Sequence, residues 1–105
     1  MWFGVSLLYR SSEPLDAQGI HLFEERIVLL GAVDEVNAWQ RAMQLGPSLD
    51  EQYINAEGNQ VVWTFERVLE VKVILEDQLG DGVEVFHRFL REDEVKSLAK
   101  PLSEP

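Results

Sequence analysis

The sequence predicts an α+β domain: an antiparallel sheet of four to five strands with one helix on one face, in the order β-β-α-β-β-β, followed by a short C-terminal helical tail. Three observations lead there. Apolar residues alternate with period two in several stretches bounded by turn residues. One stretch alone, DEVNAWQRAMQLGPS, repeats with helical spacing. The strand-like stretches after it are joined by the turns AEGN and EDQLGDG and read as a three-strand meander.

Residues 2–10, WFGVSLLYR, place Phe3, Val5, Leu7 and Tyr9 on one face of a first strand. SSEPLDAQG then reads as a loop, with Pro14 and Gly19 as punctuation. His21 to Ala32 forms a second strand, its β-branched content favouring strand over helix. Asp34 is suited to cap the helix, on which Val36, Trp39, Ala42 and Met43 recur. Gly46 and Pro47 supply the stop, glycine by a left-handed turn and proline by refusing to continue. Tyr53 to Asn55, the turn AEGN and Gln60 onward form a hairpin. Its second arm alternates Val61, Trp63, Phe65, Arg67, Leu69, Val71 and Val73, which is longer than most strands. A bend or bulge is therefore expected between Glu66 and Val68. The stretch EDQLGDG turns into a last strand, Val83 to Leu90, with Gly80 and Gly82 at positive φ. Residues 92–99 form one or two helical turns with Val95 and Leu98 on one side; Pro101 ends them and the remainder frays.

A chain of 105 residues fits one domain, read here as residues 1–90, with residues 91–105 as an acidic, amphipathic tail. There is no cysteine, which removes disulfides, thiolate zinc sites and cysteine nucleophiles and suits the cytoplasm. No apolar run approaches the ~20 residues of a membrane span. The first residues carry no basic leader, so they read as structure and not as a signal peptide. Nine basic against nineteen acidic residues give a net charge of −10. Such a surface repels nucleic acid and anionic lipid and favours a basic protein or a cationic ligand; equally, it serves plain solubility.

Charges interrupt the apolar stripes at a few places. Glu25 shares a face with Phe23, Ile27 and Leu29, while Glu24 and Arg26 share the other with Leu22, Val28 and Leu30. Arg67 and His87 each interrupt an apolar stripe. A structural reading pairs Glu25 with Arg67, or Glu24 with Arg88, each pair contributing about 0.2–1 kcal/mol and fixing register. A functional reading gathers Glu25, Arg67 and His87 into a polar pocket as acid, base and anion clamp, although no nucleophile accompanies them. A metal site would need both His21 and His87 plus Glu24 or Glu84 from separate strands, so neither a metal nor a cofactor is expected. LGDG lacks the lysine and the following helix of a phosphate loop. Trp39 and Trp63 suit core packing.

Leu8, Val28, Leu30, Val62, Val68, Phe86 and Leu90 lie opposite in parity to the main stripes, so both faces of the sheet are expected to be oily. One helix covers one face. The C-terminal tail or a second copy of the chain would then shield the other.

The pieces F-E-E-R-I-V-L (23–29), N-A-x-G-x-x-V-x-W-x-F (55–65) and G-D-G-x-E-V-x-x-R-F-L (80–90) also carry a resemblance. Over residues 2–90 the chain resembles a small bacterial family known only as a domain of unknown function. The resemblance implies no catalytic residue and no cofactor. It draws interest to Glu24, Glu25, Arg26, Trp63, Asp81, Glu84 and Arg88, which match its motif positions, and leaves His21, Arg67 and the acidic tail outside its pattern.

The leading functional expectation is a non-enzymatic protein-interaction module that self-associates as a dimer. A narrower version is an acidic protein that neutralises a basic partner, in the manner of immunity proteins and antitoxins. The contrary class is a small enzyme or ligand binder using a groove with Glu25, Arg67 and His87.

Overall fold

Strand β1 (Trp2–Pro14) lies in the middle of the molecule, hydrogen-bonded along both edges. This computed structural model describes residues 1–14 and 19–99. β2 (His21–Gly31) and β4 (Gln60–Ile74) flank β1, and β3 (Glu51–Ile54) pairs with β4, giving the order β2-β1-β4-β3 with every pair antiparallel. Helix α1 (Glu35–Ser48) connects β2 to β3, and a short helix α2 (Glu92–Ala99) follows the sheet. Mixed α and β structure built on an antiparallel sheet is thus present, with four strands among the described residues.

β1 sorts its side chains by size. Phe3, Val5, Leu7 and Tyr9 point into the core and are buried, and each contributes about 1.5–3 kcal/mol by leaving water. From the helix come Ala38 and Ala42, with Trp39, Leu45 and Leu49 packed around them. Val36 and Met43, expected on the inner stripe, are exposed. The inner stripe is instead Ala38, Ala42 and Gly46, because a backbone lying this close to the sheet leaves no room for larger groups. A Cβ on Gly46 would run into the ring of Phe65, and the Tyr9 hydroxyl donates to the Gly46 carbonyl at 2.7 Å.

Local chemistry sets the ends of the elements. Asp34 caps α1 by accepting from the Asn37 N–H at 2.8 Å. Gly46 and Pro47 do not stop it; the helix runs to Ser48, with Gly46 chosen for space and not for positive φ. β1 also continues through Ser11–Pro14, read from sequence as loop. Ser11 pairs with Trp63, and Ser12 Oγ accepts from the Val62 N–H. In the β3–β4 turn, Asn55 Oδ1 accepts from the N–H groups of Glu57 and Asn59 while Gly58 takes φ +83°. Gly82 also has positive φ; Gly80 does not. The expectations for residues 15–18 and for Pro101 onward lie outside the described residues.

β4 carries two bulges. Its register against β1 slips once at Glu66 and again at Leu69. Each extra residue flips parity, so the second slip restores what the first reverses. Between them Val68 turns into the core opposite Leu7, and Arg67 turns to the far side opposite Leu8. Leu30 joins the core as well, with Val28 packed against it. The far side is consequently less oily than parity alone suggests. Gly4, Ser6 and Leu8 of β1 lie there between Glu25, Ile27 and Leu29 of β2 and Arg67, Glu70 and Lys72 of β4.

Val83 to Leu90 is not a strand. It has no ladder and crosses the far side of the sheet as an extended strap, with its Val85 carbonyl and Phe86 lying against Gly4. A segment laid over a face shows the same two-residue alternation as one added to an edge, so the pattern does not separate them.

The bulges yield a test that strict alternation would fail. Val68→Asp buries an unpaired carboxylate and should cost several kcal/mol, whereas Arg67→Asp should change stability by about 0.5 kcal/mol or less. Urea unfolding of the two variants measures both.

Candidate functional site

Two polar clusters occupy β2, one on each face. On the core side Arg26 is the centre. Its Nε donates to Glu24 at 2.6 Å and its Nη1 to the Leu49 carbonyl at 2.8 Å, with Glu51 at 3.2 Å. The guanidinium stacks over the ring of Tyr9, 4.0 Å from its centroid. One side chain thus ties β2, the C-terminal end of α1 and the start of β3 to the core. Burial alone would lower the pKa of Arg26; the hydrogen bond and charge of Glu24, with Glu51 and Tyr9, outweigh it and raise the pKa. Burial raises the pKa of Tyr9 above its usual 10.0; Arg26 opposes this, and Asp50, Glu24 and Glu51 add to it.

On the far side Glu25 is the centre. Arg88 Nη1, from the strap, donates to both carboxylate oxygens at 2.8 and 3.0 Å. Ser6, fully buried beneath, donates its hydroxyl to Glu25 Oε2 at 2.6 Å. Glu25, Glu70, Arg88, Leu90 and Glu94 line a cavity of about 220 Å³ here. Glu70 Oε2 is buried and accepts no hydrogen bond among the described residues, with the Lys72 ammonium 3.8 Å away.

The sequence-derived residues therefore separate. Glu25 pairs with Arg88, where Arg67 was expected, and Glu24 pairs with Arg26, where Arg88 was expected. Arg67 and Glu25 both stand opposite Leu8, on either side of β1, so two strand spacings, roughly 10 Å, divide them. No ion-pair partner for Arg67 stands among the described residues. His87 turns away to Glu84, 3.6 Å off, in an exposed contact. The cavity beside Glu25 includes neither Arg67 nor His87. His21 sits at the other end of β2, where Arg10 donates to its ring. Among the described residues no three His, Cys, Asp or Glu side chains stand close enough to hold a metal ion.

Of the motif positions, Trp63 packs beside the core and donates its indole N–H to Tyr53 Oη at 3.2 Å. Asp81 and Glu84 line an open cleft of about 470 Å³ with Leu75 and Glu76. Ser6 was missed by sequence reasoning. A small polar residue in an otherwise apolar strand, two positions from a glycine, was the available signal. No described helix is long and apolar enough to cross a membrane.

A family model described as a domain of unknown function, DUF4288, matches residues 2–87. The chain belongs to that family. The match spans the sheet, α1 and most of the strap, and includes Ser6 and Glu25; it ends one residue before Arg88. No curated protein and no solved structure matches the chain. Membership in the family brings no assigned activity, so the residues and their geometry carry the rest.

The Tyr9 shift has a measurable consequence. A phenol whose folded pKa lies above its unfolded one contributes stability that is intact below about pH 10 and drains away as pH rises through the folded pKa. Tyr9→Phe should start less stable by about 1 kcal/mol for the lost hydrogen bond to Gly46. It should then lose less stability than wild type as pH rises above about 10. Denaturant midpoints measured over that interval check the difference in slope.

Proposed function

We propose that this chain is a non-enzymatic protein-interaction module that self-associates through the free edge of β2. The supporting observation is the contrast between the two edges of the sheet. β3 is four residues long, which is one of the usual ways of blunting an edge. β2 is eleven residues long, and from Ile27 to Gly31 it carries neither charge nor proline. Phe23, Ile27 and Leu29, on one face of that strand, remain 45%, 46% and 42% exposed. An apolar edge with no neighbouring strand among the described residues is a template for another strand.

A second copy suits this edge better than an unrelated partner does. Antiparallel pairing of two β2 strands about Val28 sets Ile27 of each copy opposite Leu29 of the other. The charges at positions 24–26 then face the neutral positions 30–32, so no like charges meet. Apart from Glu24 and Glu25, which meet these neutral positions, none of the acid that gives the chain its charge of −10 lies on the paired stretch 24–32. Such pairing extends the sheet to eight strands and satisfies the open backbone groups.

The acid-lined cleft around Glu76, Asp81 and Glu84 favours a second reading, capture of a basic partner. Salt separates the two. Edge pairing across a neutral seam should vary little with ionic strength, whereas a complex held by opposite charge should weaken as salt screens it.

Light scattering across a concentration series tests the leading reading. The wild-type chain should approach the mass of a dimer. Ile27→Lys, which places a charge in the seam, should stay monomeric with an unchanged circular dichroism spectrum. A wild-type chain that remains a monomer at its highest soluble concentration would sink this function.

A further inference from the structure

Residues 79–90 lie on the sheet without being part of it. No backbone ladder joins them to β1, β2 or β4. Their polar attachment among the described residues is a single one, the bidentate contact of Arg88 with Glu25. The other interactions of the segment are internal: the Val83 N–H donates to the Gly80 carbonyl, and His87 faces Glu84. Packing beneath it is incomplete. An apolar cavity of about 230 Å³ remains between Gly4, Ile27 and Leu29 on the sheet and Leu79, Val83 and Val85 above. Gly82, at φ +83°, turns the chain near the start of the segment.

The sheet below is shaped for this cover. Gly4 has no room for a side chain, because a Cβ there would collide with the Val85 carbonyl. Ser6 is fully buried on a face where it would meet water if nothing crossed it. A segment with few buried contacts, no ladder and one ion pair belongs to the low-stability end of a structure and opens before the rest does.

We propose that residues 79–90 form a strap that opens as a unit from the far side of the sheet, and that the Glu25–Arg88 ion pair is its clasp. Opening uncovers Gly4 and Ser6, together with the covered parts of Ile27 and Leu29, and frees the Glu25 carboxylate, while β1 and β4 stay paired. The clasp works whether or not the chain pairs with a second copy, so it does not rest on the self-association above.

The absence of native cysteine gives a clean reporter. A Ser6→Cys variant places one thiol beneath the strap, and a Val5→Cys variant places one in the core under α1. Each is reacted with a small maleimide, with and without Arg88→Ala. The thiol at position 6 should label about fivefold faster when the clasp is removed, while the thiol at position 5 keeps its rate. Gly4→Ala, which pushes against the Val85 carbonyl and leaves the clasp residues intact, should also speed labelling at position 6 alone. Equal rates at position 6 with and without Arg88→Ala would overturn the proposal. So would acceleration that is the same at positions 5 and 6, since that reports unfolding of the whole domain.

Discussion

β1 is covered from both sides, and everything else in the molecule answers to that. A strand in the middle of a sheet has two faces to fill, and the two demands here differ. Toward α1 it presents Phe3, Val5, Leu7 and Tyr9, large groups that make the core. Away from α1 it presents Gly4 and Ser6, small groups over which a second stretch of backbone passes. The close approach of α1 follows from the same economy of space. Because β1 and β4 fill the core with rings, the helix must bring small residues, Ala38, Ala42 and Gly46, to the contact.

Charges on β2 hold these layers in place from outside. Arg26 and Glu25 are adjacent in sequence and therefore point to opposite faces. The first fastens the end of α1 and the start of β3; the second fastens the strap. The three charged residues Glu24, Glu25 and Arg26 thus serve two separate attachments and not one site. Their partners explain why charge is tolerated next to a buried core: each is hydrogen-bonded, Arg26 to a carbonyl and the Glu24 carboxylate, Glu25 to a hydroxyl and a guanidinium. Catalysis would ask for groups converging on one cavity, and Glu25, Arg67 and His87 diverge instead.

Local signals were legible in the sequence, and the missing parts were those set by contacts across the fold. Alternation located β1, β2 and β4, and Asp34 marked the start of α1 because capping depends on a few neighbouring residues alone. The need for a bulge near Glu66–Val68 was legible from the length of the stripe. That there were two, at Glu66 and Leu69, was not, and only between them is the facing of Arg67 and Val68 reversed. Glycine misled in the same way. Gly46 next to Pro47 resembles a helix stop, yet it answers to the ring of Phe65, a residue nineteen positions on. The strap was mistaken for a strand because alternation records that one side faces in, not what it faces. Pairing of Glu25 with Arg88 was out of reach for the same reason, since it depends on where that segment crosses.

The acidic surface and the neutral edge are better taken together than apart. A net charge of −10 opposes contact between copies wherever their surfaces meet at random. It does not oppose contact along Ile27–Gly31, where β2 carries no charged side chain and its outer edge has no neighbouring strand among the described residues. In the proposed dimer, repulsion elsewhere would act as a filter, opposing stray associations while sparing a register in which no like charges face each other. An edge left open on a neutral protein would invite pairing with anything extended. Set in an acidic chain, the same edge would favour a partner whose charges are placed as its own are, and the proposed second copy would meet that condition by symmetry.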